Sequence, residues 1–273
     1  MKYILLFLCI LSLSCKYNVA NPVGTLKDYT EGSGKTYYVS SNSSVAEIED
    51  ALRKNKHSLG KYKIVVSSSS DANTQILTNI ATALKNNSSF NNVEVDISKL
   101  TGITEIPESM FKDLGNLSSI TLSDKISNIG NNAFSGCASL ANVRFSKELT
   151  NIGEGAFSNC VSLTFIALDS DKLTTIGKNA FSSCSSLVSV ILSASLTSIC
   201  NDAFSSCSKL ANVEYLGKKS DTSKLSSCSS FSSGSNPSNL YLPSMDGTDT
   251  NRIDSTFLGR SWTTTNYGKH IPN

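Results

Sequence analysis

After residue 100 the apolar positions of the chain repeat with a long, fixed period. Phenylalanine falls at Phe111, Phe134, Phe157, Phe181 and Phe204, at intervals of 23, 23, 24 and 23 residues. The register extends beyond that one column. Leu117-x-x-Ile120-x-Leu122 recurs as Leu140, Val143, Phe145, as Leu163, Ile166, Leu168, as Leu187, Val190, Leu192, and as Leu210, Val213, Tyr215. Successive side chains of a strand point to opposite faces, so each copy predicts one short strand with its large residues turned inward. The other half of each copy reads Ile129-Gly130-x-x-Ala133-Phe134-x-x-Cys137, then Ile152-Gly153-x-x-Ala156-Phe157-x-x-Cys160, then Ile176-Gly177-x-x-Ala180-Phe181-x-x-Cys184. A further copy, Ile199-Cys200-x-x-Ala203-Phe204-x-x-Cys207, has Cys in place of Gly. The first, Ile106-Pro107-x-x-Met110-Phe111-x-x-Leu114, departs at three places, as a terminal repeat can. The extra residue in the 24-residue interval lies between Leu168 and Leu173, in a turn.

A fixed period of this length marks stacked coils, each of which buries its apolar face only against its neighbours. The fold predicted is therefore an α/β repeat: a solenoid of about five 23-residue repeats over 101–216, with a short parallel sheet at about 4.8 Å strand spacing. Upstream, Thr36–Val39 and Ile64–Val66 read as strands, Val45–Leu52 and Ile76–Leu84 as helices from their apolar spacing, and Phe90-x-x-Val93-x-Val95 already has the strand form of the repeat. Residues 36–100 are accordingly a small α/β N-terminal cap. Residues 217–273, with a Ser-rich stretch from Lys218 to Ser238 and then Leu240-Tyr241-Leu242-Pro243, Phe257, Leu258 and Trp262, are an irregular C-terminal cap whose aromatics close the last coil.

The first residues belong to a different class of signal. Lys2, an apolar run from Ile4 to Leu13, then Ser14 and Cys15 have the order of a secretory leader. The run is half of the roughly twenty residues a membrane-crossing helix needs. Ser12-Leu13-Ser14-Cys15 resembles a bacterial lipobox, in which Cys15 is lipidated and becomes the new N terminus; the family prefers an aliphatic residue where Ser12 stands, although the lipoboxes of spirochaetes are looser. This reading makes 1–14 a signal peptide and 15–35 a lipidated N terminus and tether, joining the chain to a membrane through lipid. Residues 16–35 carry turn formers and no apolar period.

Composition narrows the partners. Charged residues make up only 17% of the 273, and the formal net charge is +2. Neutral Ser, Thr and Asn fill the polar positions, so no basic field is present to gather nucleic acid. Cys137, Cys160, Cys184 and Cys207 recur once per copy, which is the period of the coil; a straight column spreads four ligands over about 14 Å, where zinc needs them to converge. Parallel Cβ vectors also keep neighbours beyond the usual disulfide range, so the column is expected to pack as buried thiols. Cys200 and Cys228 lie off it, and their spacing does not decide whether they pair. His57 and His270 are the only histidines and stand at opposite ends. No phosphate loop, nucleophile elbow or HExxH is present, and Asp169, Asp171 and Glu214 read as solvated carboxylates. No catalytic residue, metal or cofactor is called.

The outward strand positions remain for function. They form two columns, Ser119, Asn142, Phe165, Ser189 and Asn212, and Thr121, Arg144, Ala167, Ile191 and Glu214. Phe165 and Ile191 are apolar on an otherwise small polar face, and an aromatic beside an Arg is a composition favoured in contact cores.

The repeated Ile-Gly-x-x-Ala-Phe-x-x-Cys and Leu-x-x-Ile-x-Leu stretches over about 103–216 resemble the BspA-like leucine-rich repeats, and the flanks are similar to those of Treponema members with that architecture. The resemblance implies a bacterial surface or secreted protein, frequently a lipoprotein, that binds host or other surface proteins as an adhesin. An inward-facing anchor would make the same chain a periplasmic scaffold, and an enzyme is the third possibility.

Overall fold

A computed structural model describes residues 28–31, 34–71, 73–222, 225, 229–231, 234–248, 253 and 257–272. The leader, Cys15, most of the tether and Cys228 lie outside the described residues. The N-terminal part opens with an antiparallel pair, β1 (Asp28–Glu31) and β2 (Gly34–Tyr37). Then follow α1 (Val45–Leu59), β3 (Lys63–Val65), α2 (Gln75–Asn86) and β4 (Val93–Asp96). A capping box formed by Ser44 and Glu47 starts α1, and Gly60 in the left-handed region ends it. The helix runs seven residues past the predicted Leu52, because Arg53 and Lys54 pair at i,i+4 with Glu49 and Asp50 and continue it beyond the apolar stripe. Buried Asn55 joins this helix to two strands. Its amide oxygen accepts from Tyr37 N–H at 2.8 Å, and its nitrogen donates to the Tyr37 and Lys63 carbonyls at 2.9 and 2.8 Å.

Each coil that follows has a two-residue strand and a longer one. They are β5 (Glu105–Ile106) and β6 (Leu117–Thr121), β7 (Asn128–Ile129) and β8 (Asn142–Arg144), β9 (Asn151–Ile152) and β10 (Phe165–Leu168), β11 (Thr175–Ile176) and β12 (Ser189–Leu192), β13 (Ser198–Ile199) and β14 (Asn212–Tyr215). The short helix α3 (Lys219–Thr222), β15 (Asn239–Leu242), a 3-10 turn at Phe257–Gly259 and β16 (Thr264–Tyr267) complete the chain. The short strands form one parallel sheet, β13-β11-β9-β7-β5. The longer ones form β3-β4-β6-β8 and β10-β12-β14-β15-β16, so the N-terminal strands and the coils share a sheet.

The core consists of stacked identical residues. The rings of Phe111, Phe134, Phe157, Phe181 and Phe204 lie face to face at centroid separations of 5.2, 5.0, 5.2 and 5.3 Å. Phe231 stacks on Phe204 at 5.2 Å, and Trp262 closes the column edge-on at 6.0 Å. Phe231 thus marks a sixth coil beyond the five counted from the sequence. It stands 27 residues after Phe204 because α3 is inserted between them. Each such ring pair adds about 0.5–1.5 kcal/mol to the burial of the rings themselves.

The cysteine column has a second task besides filling space. Cys137, Cys160, Cys184 and Cys207 are fully buried, and each thiol donates to the phenylalanine carbonyl one coil back, at 2.9, 3.3, 3.2 and 3.1 Å. In the sixth coil Ser235 donates to the Phe204 carbonyl in the same way. From the second coil to the sixth the carbonyl is thus met by a small buried donor, Cys or Ser, while the first coil has Leu114 at this position. Burial pushes the Cys137 thiol up to about 12 and the Cys160 thiol further still.

Gly130, Gly153 and Gly177 face the backbone of the preceding coil so closely that a Cβ would meet it at 2.6–2.7 Å. Cys200 occupies that position in the next copy. There the bond from Asn179 N–H to the Asn201 carbonyl is 3.4 Å, where the equivalent Asn132–Glu154 bond is 2.8 Å. Hydroxyls supply the lateral bonding along the turns. Ser127, Thr150, Thr174 and Thr197 each donate to the carbonyl one coil back, and buried Ser123, Ser146, Ser170 and Ser193 each accept the N–H two residues on. This is where the chain's excess of Ser and Thr is used.

One feature departs from the predicted sheet. The ladder is interrupted between β8 and β10, although the short-strand sheet runs through the same coils unbroken. At this point Phe145 takes the place held elsewhere by Leu122, Leu168, Leu192 and fully buried Tyr215. Its ring is only half buried and lies edge-on to Phe157 at 5.5 Å, while Val143 beside it is also half buried.

Candidate binding face

The strand registers place both predicted columns on one face. Ser119 stands opposite Asn142, Phe165 opposite Ser189, and Ser189 opposite Asn212; Thr121 stands opposite Arg144, Ala167 opposite Ile191, and Ile191 opposite Glu214. The columns extend further than the repeat alone indicated. Glu94 and Asp96 continue them on one side, and Asn239, Tyr241, Thr264 and Asn266 on the other.

Exposure along these columns is uneven. Asn142 and Arg144 are exposed, Phe165 is 48% exposed, and Ser119, Thr121, Ala167, Ile191 and Asn212 are half-buried. Ser189 is buried, with the Asn212 amide donating to its hydroxyl at 3.1 Å and the Asn239 amide in turn donating to Asn212 at 2.9 Å. The Arg144 guanidinium stands 3.5 Å from Asp124, both groups about half exposed, a separation at which a surface pair adds little.

The sequence reading missed two apolar members. Val188 is 42% exposed, and its N–H donates to the Thr164 carbonyl, which sets it beside Phe165; Val161, 39% exposed, lies in the turn leading into β10. Val188 replaces Ser118, Ala141, Thr164 and Ala211 of the other copies, so its size was the available signal. Phe165, Val188 and Val161 are the exposed large hydrophobic side chains among the described residues, and all fall in the third and fourth coils next to the sheet interruption.

Glu214 does not behave as a solvated carboxylate. It is buried, because the segment after β16 folds over it: His270 Nδ1 lies 2.5 Å from one oxygen and Ile271 N–H donates to the other at 2.9 Å. The two histidines remain apart, His57 being exposed in the last turn of α1. Asp169 and Asp171 are exposed, as a turn position predicts. Cys200 is a free, half-buried thiol.

Other concavities are shallow. One of about 320 Å³ is lined by Lys85 and Asp113 among small polar residues, and one of about 300 Å³ by Glu105, Glu108 and the amides of Asn128, Asn131 and Asn151. Neither sets a nucleophile beside a base, as covalent catalysis requires. Among the described residues no three His, Cys, Asp or Glu side chains converge as metal ligands, and no helix is long and apolar enough to cross a membrane.

A family model for the BspA type leucine rich repeat region matches residues 104–244 in six copies, just over half of the 273-residue chain. Among solved structures, a leucine rich cell surface protein of Faecalibacterium prausnitzii is 30% identical over a match covering 52% of this chain and 36% of that one, with a TM-score of 0.46. A leucine rich repeat protein of T. pallidum is 28% identical over 59% of this chain and 78% of that one, with a TM-score of 0.44. One from Bacteroides ovatus is 20% identical over 60% and 40%, with a TM-score of 0.39. The chain thus spans about a third of the length of the F. prausnitzii protein. No curated protein matches.

Proposed function

The chain belongs to the BspA-type leucine-rich-repeat family, and we propose that it is a lipid-anchored, non-enzymatic binding protein of a bacterial cell surface that attaches to host or matrix proteins through the outward face of its longer strands. Members of the family are typically cell-surface proteins and generally serve as protein-binding scaffolds. The observation that carries the choice of face is the grouping of exposed Phe165 and Val188 on a surface rich in Ser, Thr and Asn, with exposed Arg144 on β8 across the interrupted ladder. An aromatic anchor rimmed by polar groups is the arrangement that concentrates binding energy at protein contacts.

The signal peptide at 1–14, lipidation of Cys15, the tether to 35 and the cap boundary at 100 are part of the same proposal, whereas the repeats run past 216 into the sixth coil. Phe165→Ala combined with Arg144→Ala should weaken binding to host matrix protein at least ten-fold, the equivalent of about 1.4 kcal/mol, with no change in melting temperature. Undiminished binding by that variant removes the patch as the site. Protease treatment of intact cells separates this reading from a periplasmic scaffold, since digestion of the chain requires surface exposure and full protection contradicts it.

A further inference from the structure

Glu214 is a carboxylate that the repeat pattern turns outward and the fold nevertheless hides. It stands in register with Ile191 of β12 and Tyr241 of β15, on the same face as exposed Arg144, yet its side chain is only 3% exposed. The cover is a single short segment. After β16, Gly268 adopts a positive φ of 63° and returns its N–H to the Leu242 carbonyl at 2.9 Å. Beyond this turn His270 and Ile271 occupy the two carboxylate oxygens of Glu214, one each.

The contact is strong at one point and thin around it. Hydrogen bonds to an ionised carboxylate are among the stronger ones, but the histidine side chain is 72% exposed, Lys269 and Pro272 are exposed, and Ile271 is half-buried. Little apolar area holds the segment down apart from its grip on Glu214. A segment so held can leave as a unit, and the carboxylate it uncovers is then open to water or to another segment that brings the same two donors.

We propose that residues 268–272 are a displaceable latch over the distal end of the outward face. The site beneath it, centred on Glu214, takes an extended segment offering an imidazole or basic side chain followed by a free main-chain N–H. The consequence for adhesion rests on the function proposed above: a partner with that chemistry gains Glu214 and its neighbours on β12 and β15 by displacing the latch.

Amide hydrogen exchange on the intact chain tests this without a natural partner. The Ile271 amide should exchange at least ten-fold more slowly than in a free peptide. His270→Ala, at an exposed position, should speed it severalfold, and Glu214→Ala should bring it close to the free-peptide rate while the Val213 and Tyr215 amides of β14 stay protected. The hexapeptide Tyr-Gly-Lys-His-Ile-Pro, added at millimolar concentration to match the effective concentration of a tethered segment, should accelerate Ile271 exchange in the unmodified chain. Free-peptide exchange at Ile271 in the unmodified chain, or no response to Glu214→Ala, overturns the latch. No response to the hexapeptide overturns the site for external ligands. None of these readings depends on Phe165 or Arg144, so failure here is distinct from failure of the adhesion proposal.

Discussion

Replacing Phe157 by Leu changes one ring in the middle of the aromatic column and leaves an apolar side chain in its place. Phe157 is fully buried, stacks on Phe134 at 5.0 Å and 7° and on Phe181 at 5.2 Å and 2°, and receives Phe145 edge-on at 5.5 Å. Phe111, at the start of the column, has Phe134 as its stacked neighbour at 5.2 Å. With about 0.5–1.5 kcal/mol for each aromatic pair, Phe157→Leu should lose about 1.5–4.5 kcal/mol of ring contacts and Phe111→Leu about 0.5–1.5 kcal/mol, on top of a burial loss common to both. In a chain of this size, at roughly 2 °C per kcal/mol, those ring contributions lower the melting temperature by roughly 3–9 °C and 1–3 °C. Urea titration gives the free energies directly, and calorimetry the temperatures. Equal losses at the two positions would refute the reasoning, because burial alone makes them equivalent and only the number of ring partners separates them.

Three further outcomes follow from the same stacking. Cys160→Ser should cost less than Cys160→Val in urea titration, since Ser235 already performs the carbonyl bond that Val cannot make. Gly177→Ala places a methyl 2.6 Å from the Gly153 backbone and should destabilise by about 1–3 kcal/mol, whereas Cys200→Gly should tighten the loosened coil and raise the melting temperature. Burial raises the folded-state Cys137 thiol from 9.0 to about 12, so stability is intact below pH 9 and declines as the pH climbs toward 12. That loss is about 1.4 kcal/mol per such thiol at pH 10, and a pH series of melting curves that stays flat from 8 to 11 would contradict it.

The parts of this fold legible in the sequence are those where one residue type does one job in every coil. Phe, Ile, Leu and Cys recur in register because each stacks on its own copy, and the strand registers follow the predicted columns from Ser119 to Arg144 and again from Phe165 to Glu214, on either side of the break between β8 and β10. What several residue types can do equally well was hidden. Each coil turns twice through the left-handed region, at Ser109, Asn132, Gly155, Asn179 and Asp202, and again at Asp113, Gly136, Asn159, Ser183 and Ser206. Four residue types share each position, so no single letter recurs in every coil. The sixth coil was obscured in the same way: α3 shifts its Phe231, while Ser230 and Ser235 stand where earlier coils have Ala and Cys.

The candidate face was legible in outline and misread at one end. Outward strand positions follow from alternation, which is local. Whether such a position meets solvent depends on what else crosses the face, and Glu214 is covered by a residue 56 positions away with no periodic signal. The break beside Phe145 has no signal in the apolar pattern either, since Phe there satisfies it as Leu and Tyr215 do elsewhere.

The claim on which the account depends is that binding lies on the outward face of the longer strands while the recurring core residues serve only the fold. Titrating immobilised host matrix protein with the chain from residue 36 onward tests it when three forms are compared: unmodified, Phe165→Ala with Arg144→Ala, and Asn128→Ala with Asn151→Ala on the short-strand sheet. The account predicts at least ten-fold weaker binding for the first pair of substitutions alone, with melting temperatures preserved for that pair. Equal affinity for the unmodified chain and the Phe165 and Arg144 variant, or loss confined to the Asn128 and Asn151 variant, would contradict it.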